Sequence, residues 1–284
     1  MNGYKQTSTV TSILSLIPNS FLRNMNKIIP AISVKNFSFY HNNRKILQNI
    51  SMDIPQNKII AIMGPSGCGK STFLKSLNRM SDLEGNVQTE GKIEFFGQNI
   101  YERRINLNRL RRQISTIYST PNLFPMSIYD NVAYGIKLIG WRPKPELDEI
   151  VELALKAADI WEEVKNKLYK PALELSYGQQ QRLCIARALA VKPQVILMDE
   201  IYGGLDPITT RKIEELIECL RSELTIIFIS HNISQVSRLS DFTALFQYNG
   251  NHVGQLQEFA STKKVVTQFI DYRARNYVTS YSRQ

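Results

Sequence analysis

At 284 residues with 43% apolar side chains, the chain is long enough to bury one large α/β core or two modest ones. No run approaches the roughly 18 consecutive apolar residues of a membrane-spanning helix, so none is expected. Thirty-five Lys and Arg against 25 Asp and Glu give a formal charge of +10, which suits nucleic acid, acidic headgroups or work beside a membrane without choosing among them.

Residues 1–30 carry Lys5, Arg23 and Lys27 and no acid. Their one apolar run, Ile13-Leu14-Ser15-Leu16-Ile17, is stopped by Pro18 and lacks a small-x-small cleavage site. A mobile, dispensable extension is expected there ahead of a segment lying on an anionic membrane surface, and a secretory leader is not expected. Ala31 to Phe39 reads as a strand, and Ile50, Met52 and Ile54 alternate with Ser51 and Asp53 as a second, so an antiparallel β region comes first. Ile59 to Met63 is a buried parallel strand by its unbroken apolar character, and Phe73 to Leu77 has helical spacing.

Between that strand and that helix stands Gly64-Pro65-Ser66-Gly67-Cys68-Gly69-Lys70-Ser71-Thr72, which fits the phosphate-binding pattern G-x-x-x-x-G-K-[ST] in its required strand-loop-helix setting. The three glycines let successive N–H groups turn inward around a phosphate, and the helix adds the positive end of its dipole. Lys70 is expected to reach the β and γ phosphates and the Ser71 hydroxyl to take one position on Mg²⁺; Thr72 is expected to pack.

Gly91 to Gly97 reads as a short strand and Ile114 to Tyr118 as another, with Arg103, Arg104, Arg109, Arg111 and Arg112 between them as a solvated basic face. That patch lacks the interleaved aromatics of a nucleic-acid platform, so no nucleic-acid partner is expected. From Met126 to Leu175 the pattern is helical, with Leu147, Ile150, Val151, Ala154, Leu155 and Ala158 on one face. Helix and buried strand then alternate: Leu183 to Ala190, Val195 to Met198, a helix through Ile213 and Leu220, and Thr225 to Ile229, the signature of a βαβ parallel sheet. Ala244 to Tyr248 and His252 to Leu256 read as a hairpin on an Asn249-Gly250 turn. A last helix is capped by Ser261 or Thr262 and carries Val265, Val266, Phe269 and Ile270. Cys68, Cys184 and Cys219 have no metal-ligand spacing, which suggests a reducing compartment.

A second constellation narrows the class. Ser176-x-x-Gln179 fits a capping box, so a helix N-terminus opens there, with Gly178 leaving backbone N–H groups approachable by a phosphate. Val195-Ile196-Leu197-Met198 runs into Asp199-Glu200, placing two carboxylates at the C-terminal end of a strand, the edge at which open α/β sheets bind ligands. Asp199 is suited to holding Mg²⁺ through water and Glu200 to polarising an attacking water.

Leu175 to Arg182 with Val195 to Glu200 resembles the signature motif and Walker B of ABC-transporter ATPases. The order is continued by Tyr40, which resembles the adenine-stacking aromatic, by Gly204-Leu205-Asp206, which resembles the D-loop, and by His231, which resembles the switch histidine that senses the γ-phosphate. Phe124 to Gly135, Gln179 to Ala190 and Asp206 to Thr210 are similar to the ATP-binding subunits of bacterial phosphate (Pst-type) importers. The resemblance runs from about Ile32 to Tyr272.

It implies a P-loop NTPase α/β fold with a parallel core sheet, an antiparallel β subdomain and a helical subdomain at about 122–182, all within one domain over 31–284. It implies ATP and Mg²⁺ as cofactors, with Tyr40, Gly64, Pro65, Ser66, Gly67, Cys68, Gly69, Lys70, Ser71, Thr72, Ser176, Gly178 and Gln179 at the nucleotide. Ser71, Asp199 and Ser119 fall at the metal, and Lys70, Glu200 and His231 in the hydrolytic step. It also implies a homodimer closing on two ATP molecules at the cytoplasmic face of a membrane, driving permease subunits served by a phosphate-binding protein outside.

The departures cluster. Ser119 stands where the family has a glutamine that touches Mg²⁺, Tyr177 replaces the first glycine of the signature, and Ile201 stands where a proline follows the catalytic glutamate. If position 177 needs a positive φ, its tyrosine is strained; a helical or extended position accepts it. Three functions are consistent with this set: an ATPase subunit of a phosphate importer, the same for another solute, or an ATP-binding module with slowed hydrolysis acting as a regulatory or structural partner. A soluble ABC protein of DNA repair or translation would need a second cassette or long inserted arms, and the sequence has neither.

Overall fold

The computed structural model describes residues 29–268. The expected N-terminal extension and the expected helix residues Phe269 and Ile270 lie outside that range. The chain forms two compact units, one over 106–226 and the other over 30–105 together with 227 onward.

The second unit is built on strands β1 (Ile32–His41), β2 (Arg44–Ile54), β3 (Ile59–Met63), β4 (Val87–Phe95), β5 (Gln98–Asn99), β9 (Phe242–Tyr248) and β10 (Gly254–Ser261). Strand β8 (Thr225–Ile229) carries the chain into this unit, where the strand order is β5-β4-β1-β2-β10-β9-β3-β8. β1 pairs antiparallel with β2 and β4, whereas β3 pairs parallel with β9, so the expected antiparallel region and parallel core are both present. All five residues of β3 are buried, as its unbroken apolar run requires. Helix α1 (Lys70–Ser76) follows the glycine loop, and Phe73 packs its ring 5.2 Å from that of Phe246 on β9.

The first unit holds α2 (Leu107–Gln113), β6 (Ile114–Ile117), α3 (Ile128–Ile139), α4 (Lys144–Ala157), α5 (Trp161–Val164), α6 (Tyr177–Ala190), β7 (Val195–Asp199) and α7 (Pro207–Leu220). β6 and β7 pair in parallel. The expected helical stretch is borne out by α3, α4 and α5, whose buried stripes include Val132, Ala133 and Ile136 on α3 and Leu147, Val151, Ala154 and Leu155 on α4. In the second unit, β8 is followed by α8 (Ile233–Leu239), and residues 262–268 open a further helix, α9, beside the buried Val265.

Two expectations are corrected. The β9–β10 connection is a five-residue loop, 249–253, and not a two-residue Asn-Gly turn. The Asn249 side chain accepts hydrogen bonds from the N–H groups of Asn251 (2.9 Å) and Val253 (3.1 Å), and His252 takes the positive φ of 57°. An Asx turn thus competes with the tight hairpin and wins. Strand β4 begins at Val87, earlier than the apolar pattern suggests, because Gly91 sits inside the strand at φ 82° rather than opening it.

Candidate functional site

In the second unit, β3 delivers the chain into the loop 64–69, where Gly64, Gly67 and Gly69 all take positive φ (150°, 78° and 88°). This is the backbone that turns consecutive N–H groups toward one point, and only glycine adopts it without strain. Lys70, the first residue of α1, is 5% exposed, and its ammonium donates to the carbonyls of Gly64 (3.0 Å) and Pro65 (2.8 Å). A buried cation is thereby held over the loop it is expected to serve. Ser71 and Thr72 follow on the same turn, half-buried, while Pro65 and Ser66 are exposed. Cys68 is buried, and that burial raises its thiol pKa, so it acts as a small packing residue.

The loop is braced from far along the chain. The Tyr248 hydroxyl donates to the Ser66 carbonyl at 2.7 Å, and Gly254 lies so near that a Cβ there would stand 2.1 Å from the Cys68 carbonyl oxygen. Neither residue has a motif to announce it. His231 is exposed and shares a cleft of about 680 Å³ with Gly64, Pro65, Gln247 and Glu258, so the cradle and the histidine meet in one place. Its position is fixed by its neighbours. The Ser230 N–H donates to the Ile62 carbonyl (3.4 Å), the Ser230 hydroxyl to Gln235 (2.7 Å), and Asn232 caps α8 by accepting from the Gln235 N–H. On β1, Tyr40 is half-buried, with its hydroxyl donating to Glu90 (3.0 Å) and the Lys45 ammonium 5.2 Å over its ring, an arrangement that polarises the aromatic face.

In the first unit, Asp199 ends β7 half-buried and Glu200 follows it exposed, as expected of two carboxylates at a strand's C-terminal end. Glu200 has φ 51°. A left-handed glutamate costs on the order of 1–3 kcal/mol, and such strain gathers at functional turns. The turn is closed by the Gly203 N–H donating to the Glu200 carbonyl (3.2 Å), and Ile201 is buried, so an apolar anchor holds the position expected of proline.

The capping box forms as the sequence indicates. The Ser176 hydroxyl accepts from the Gln179 N–H (3.4 Å), and the Gln179 side chain accepts from the Ser176 N–H (3.1 Å). The Gln179 amide also donates to Glu163 (2.9 Å), so both ends of this side chain are engaged in shaping the helix start. Glu163 carries the charge of this corner: Arg182, 5% exposed in its side chain, grips it at 2.8 and 3.0 Å and Lys212 adds a contact at 3.3 Å. Those bonds, Arg182 first, hold the Glu163 carboxyl down at about 2. Gly178 faces Thr209, whose methyl and hydroxyl would lie 2.8 and 2.9 Å from a Cβ there. Thr209 is itself fixed, because its hydroxyl and N–H both donate to Asp206, the cap of α7.

Tyr177 resolves the question its sequence raises. It is the first residue of α6 and has no positive φ, so a tyrosine is accepted there without strain. The basic patch is only partly a solvated face: Arg103, Arg104 and Arg109 are exposed, but Arg111 and Arg112 are half-buried. Arg109, Arg111, Arg112 and Arg187 line a groove of about 770 Å³ with Phe124 and Leu138.

A glycine loop with left-handed turns, its lysine, and a capped helix start with a strand-end carboxylate pair define a P-loop nucleotide-binding protein. Residues 47–202 match the model of the ABC transporter family. The phosphate import ATP-binding protein PstB 1 of Nostoc sp. is 64% identical over 258 residues, covering 90% of this chain and 99% of that one; PstB 3 of Synechocystis sp. is 50% identical over 269 residues, covering 95% and 98%. Among solved structures, cbiO1 of Clostridium perfringens, part of the ABC transporter complex cbiONQ, superposes with a TM-score of 0.71 at 27% identity, covering 87% of this chain and 95% of that one. The chain belongs to the ABC transporter family, and its fold is that of the ABC ATPases.

The residues present fit the expected ligands. The loop offers a cationic cradle for the phosphates of ATP. Among the described residues no group of three or more His, Cys, Asp or Glu is placed to hold a metal ion.

Proposed function

We propose that the chain is the ATP-hydrolysing subunit of a membrane importer for inorganic phosphate. The observation that carries this is the 64% identity over 90% of the chain to a phosphate import ATP-binding protein, joined to a glycine loop whose backbone and buried Lys70 are built for phosphate. Lys70 and the N–H groups of 64–72 bind the β and γ phosphates and neutralise charge as it moves outward in the reaction. Tyr40, on β1, stacks on the adenine. Ser71, Asp199 and Ser119 would hold Mg²⁺, which would supply neutralisation of phosphate charge. Glu200 orients and deprotonates water, and His231 holds the γ-phosphate side of the cleft.

Two copies close on two nucleotides, the Ser176–Gly178 helix start of one receiving the phosphate bound by the other, and the pair drives permease subunits from the cytoplasmic face. No helix among the described residues is long and apolar enough to cross a membrane. A phosphate-binding protein on the far side acts through the permease.

Steady-state hydrolysis of Mg²⁺-ATP tests the enzyme reading. Lys70→Ala is expected to abolish turnover by weakening binding. Glu200→Gln is expected to lower it by roughly 10²–10⁴ while ATP still binds and a dimer accumulates. Parental turnover in Glu200→Gln would remove the base assignment. Phosphate uptake by vesicles carrying the permease and this subunit tests the solute, and uptake that ignores Lys70→Ala would sink it.

A further inference from the structure

The departures at Ser119 and Tyr177 are one structural feature. The Tyr177 hydroxyl donates to the Ser119 backbone carbonyl at 2.9 Å, a well-formed O–H···O bond. One helical turn on, the buried Gln181 amide donates to the Tyr118 carbonyl, also at 2.9 Å. Residues four apart share a helix face, so α6 presents two donors in register with two consecutive carbonyls. The same helix continues the grip at Arg187, whose guanidinium donates to the Asn122 carbonyl (2.9 Å) and side chain (2.6 Å). The segment 118–122 is therefore laced to α6 at three points. Tyr177 is the outermost of these, 40% exposed, and its ring also lies 3.7 Å from where a Cβ on Gly204 would stand. A single side chain thus joins the segment carrying Ser119 to the start of the signature helix and lies beside the turn that follows Glu200.

We propose that Tyr177 is a positioning residue that locks the Ser119 segment to the N-terminal turn of α6, so that the two move as one body during turnover. Glycine at 177 could not do this, having no side chain, and phenylalanine would keep the ring contact with Gly204 while losing the bond to Ser119. The kinetic part rests on the ATPase reading above; the structural part does not.

The test uses the full chain and Tyr177→Phe. Labelling with carbonyl-¹³C serine and ¹⁵N threonine reports the five Ser–Thr amides of the chain, and loss of the hydrogen bond should move the Ser119–Thr120 NMR signal while those of Ser8–Thr9, Ser71–Thr72, Ser115–Thr116 and Ser261–Thr262 stay in place. In Mg²⁺-ATP hydrolysis the variant should lose three- to ten-fold in kcat with KM for ATP within two-fold of the parent, because binding is untouched and the reacting arrangement is loosened. A stationary Ser119–Thr120 signal would overturn the lock. A moved signal with unchanged kcat would overturn its role in turnover, and equal movement at Ser115–Thr116 would make Tyr177 a general packing residue. If the parent itself fails to hydrolyse ATP, the ATPase reading fails and the NMR arm still decides the lock.

Discussion

The glycine loop and the signature corner meet the same demand, a backbone N–H cluster presented to phosphate, by different means. In the loop the constraint is steric: Gly64, Gly67 and Gly69 hold positive φ, and β9 and β10 press Tyr248 and Gly254 against the outside of the turn. At the signature the constraint is polar: a capping box, the Arg182–Glu163 pair and the Asp206–Thr209 cap fix the helix starts through hydrogen bonds. Steric demands leave the loop little freedom to vary, since a Cβ on Gly64 would meet the Phe246 backbone, one on Gly67 the Tyr248 hydroxyl and one on Gly69 the Leu47 side chain, each at positive φ. A polar corner tolerates substitution wherever a new side chain finds a partner, and that is where Tyr177, Ser119 and Ile201 occur. The difference teaches that departures from a family pattern mark the more adaptable half of the machinery.

The sharpest way to break this contrast is Gly254→Ala. Its Cβ would stand 2.1 Å from the Cys68 carbonyl oxygen, a backbone atom that has to move. Overpacking of this kind costs about 1–3 kcal/mol, and here the displaced atom belongs to the phosphate loop. ATP affinity, read by titration calorimetry, should fall about five-fold or more if that cost is carried into binding, since about 1.4 kcal/mol is one decade. Unchanged affinity would mean that the loop yields, and the steric account of it would be wrong.

A smaller effect is expected from the polar side. Glu163→Gln leaves Arg182 buried with its charge no longer balanced, at a cost on the order of 2–3 kcal/mol once the partial exposure of Glu163 is allowed for. Urea unfolding at pH 7 should show that loss. The pH dependence has a definite sign. The folded carboxyl titrates at about 2, below its ordinary 4.5, so the stabilisation is complete above about pH 4.5 and is lost as pH falls toward 2. The gap between parent and variant should therefore close on acidification through that window. A gap independent of pH would assign the loss to packing.

How much of this was legible in the sequence depended on how local the cause is. The glycine loop, its flanking strand and helix, and the Ser176–Gln179 capping box are encoded within a few residues, and all three form as expected. The Asn249–Gly250 turn was misread because the pattern for a tight hairpin does not reveal that the Asn249 side chain will bond to the N–H groups ahead of it. The left-handed φ of Glu200 has no sequence marker, since neither glycine nor asparagine occupies the position. Tyr177 was visible as a departure from the pattern, but its partner at Ser119 lies 58 residues away and required the fold. The braces on the loop are more distant still: Tyr248 and Ser66 are separated by 182 residues.

That brace gives the mildest test. Tyr248→Phe removes the hydroxyl that donates to the Ser66 carbonyl and stands nearest Gly67, but keeps the ring and its edge contact with His252. The Ser66 carbonyl sits on an exposed part of the loop and can bond to water instead, so the net loss should be about 0.5–1.5 kcal/mol or less. ATP affinity should fall two- to five-fold, with thermal unfolding little changed. If Tyr248→Phe equals Gly254→Ala in effect, hydrogen bonding and not close contact shapes the loop, and the contrast with the signature corner disappears. If it has no effect at all, sterics alone hold the loop, and the contrast becomes sharper.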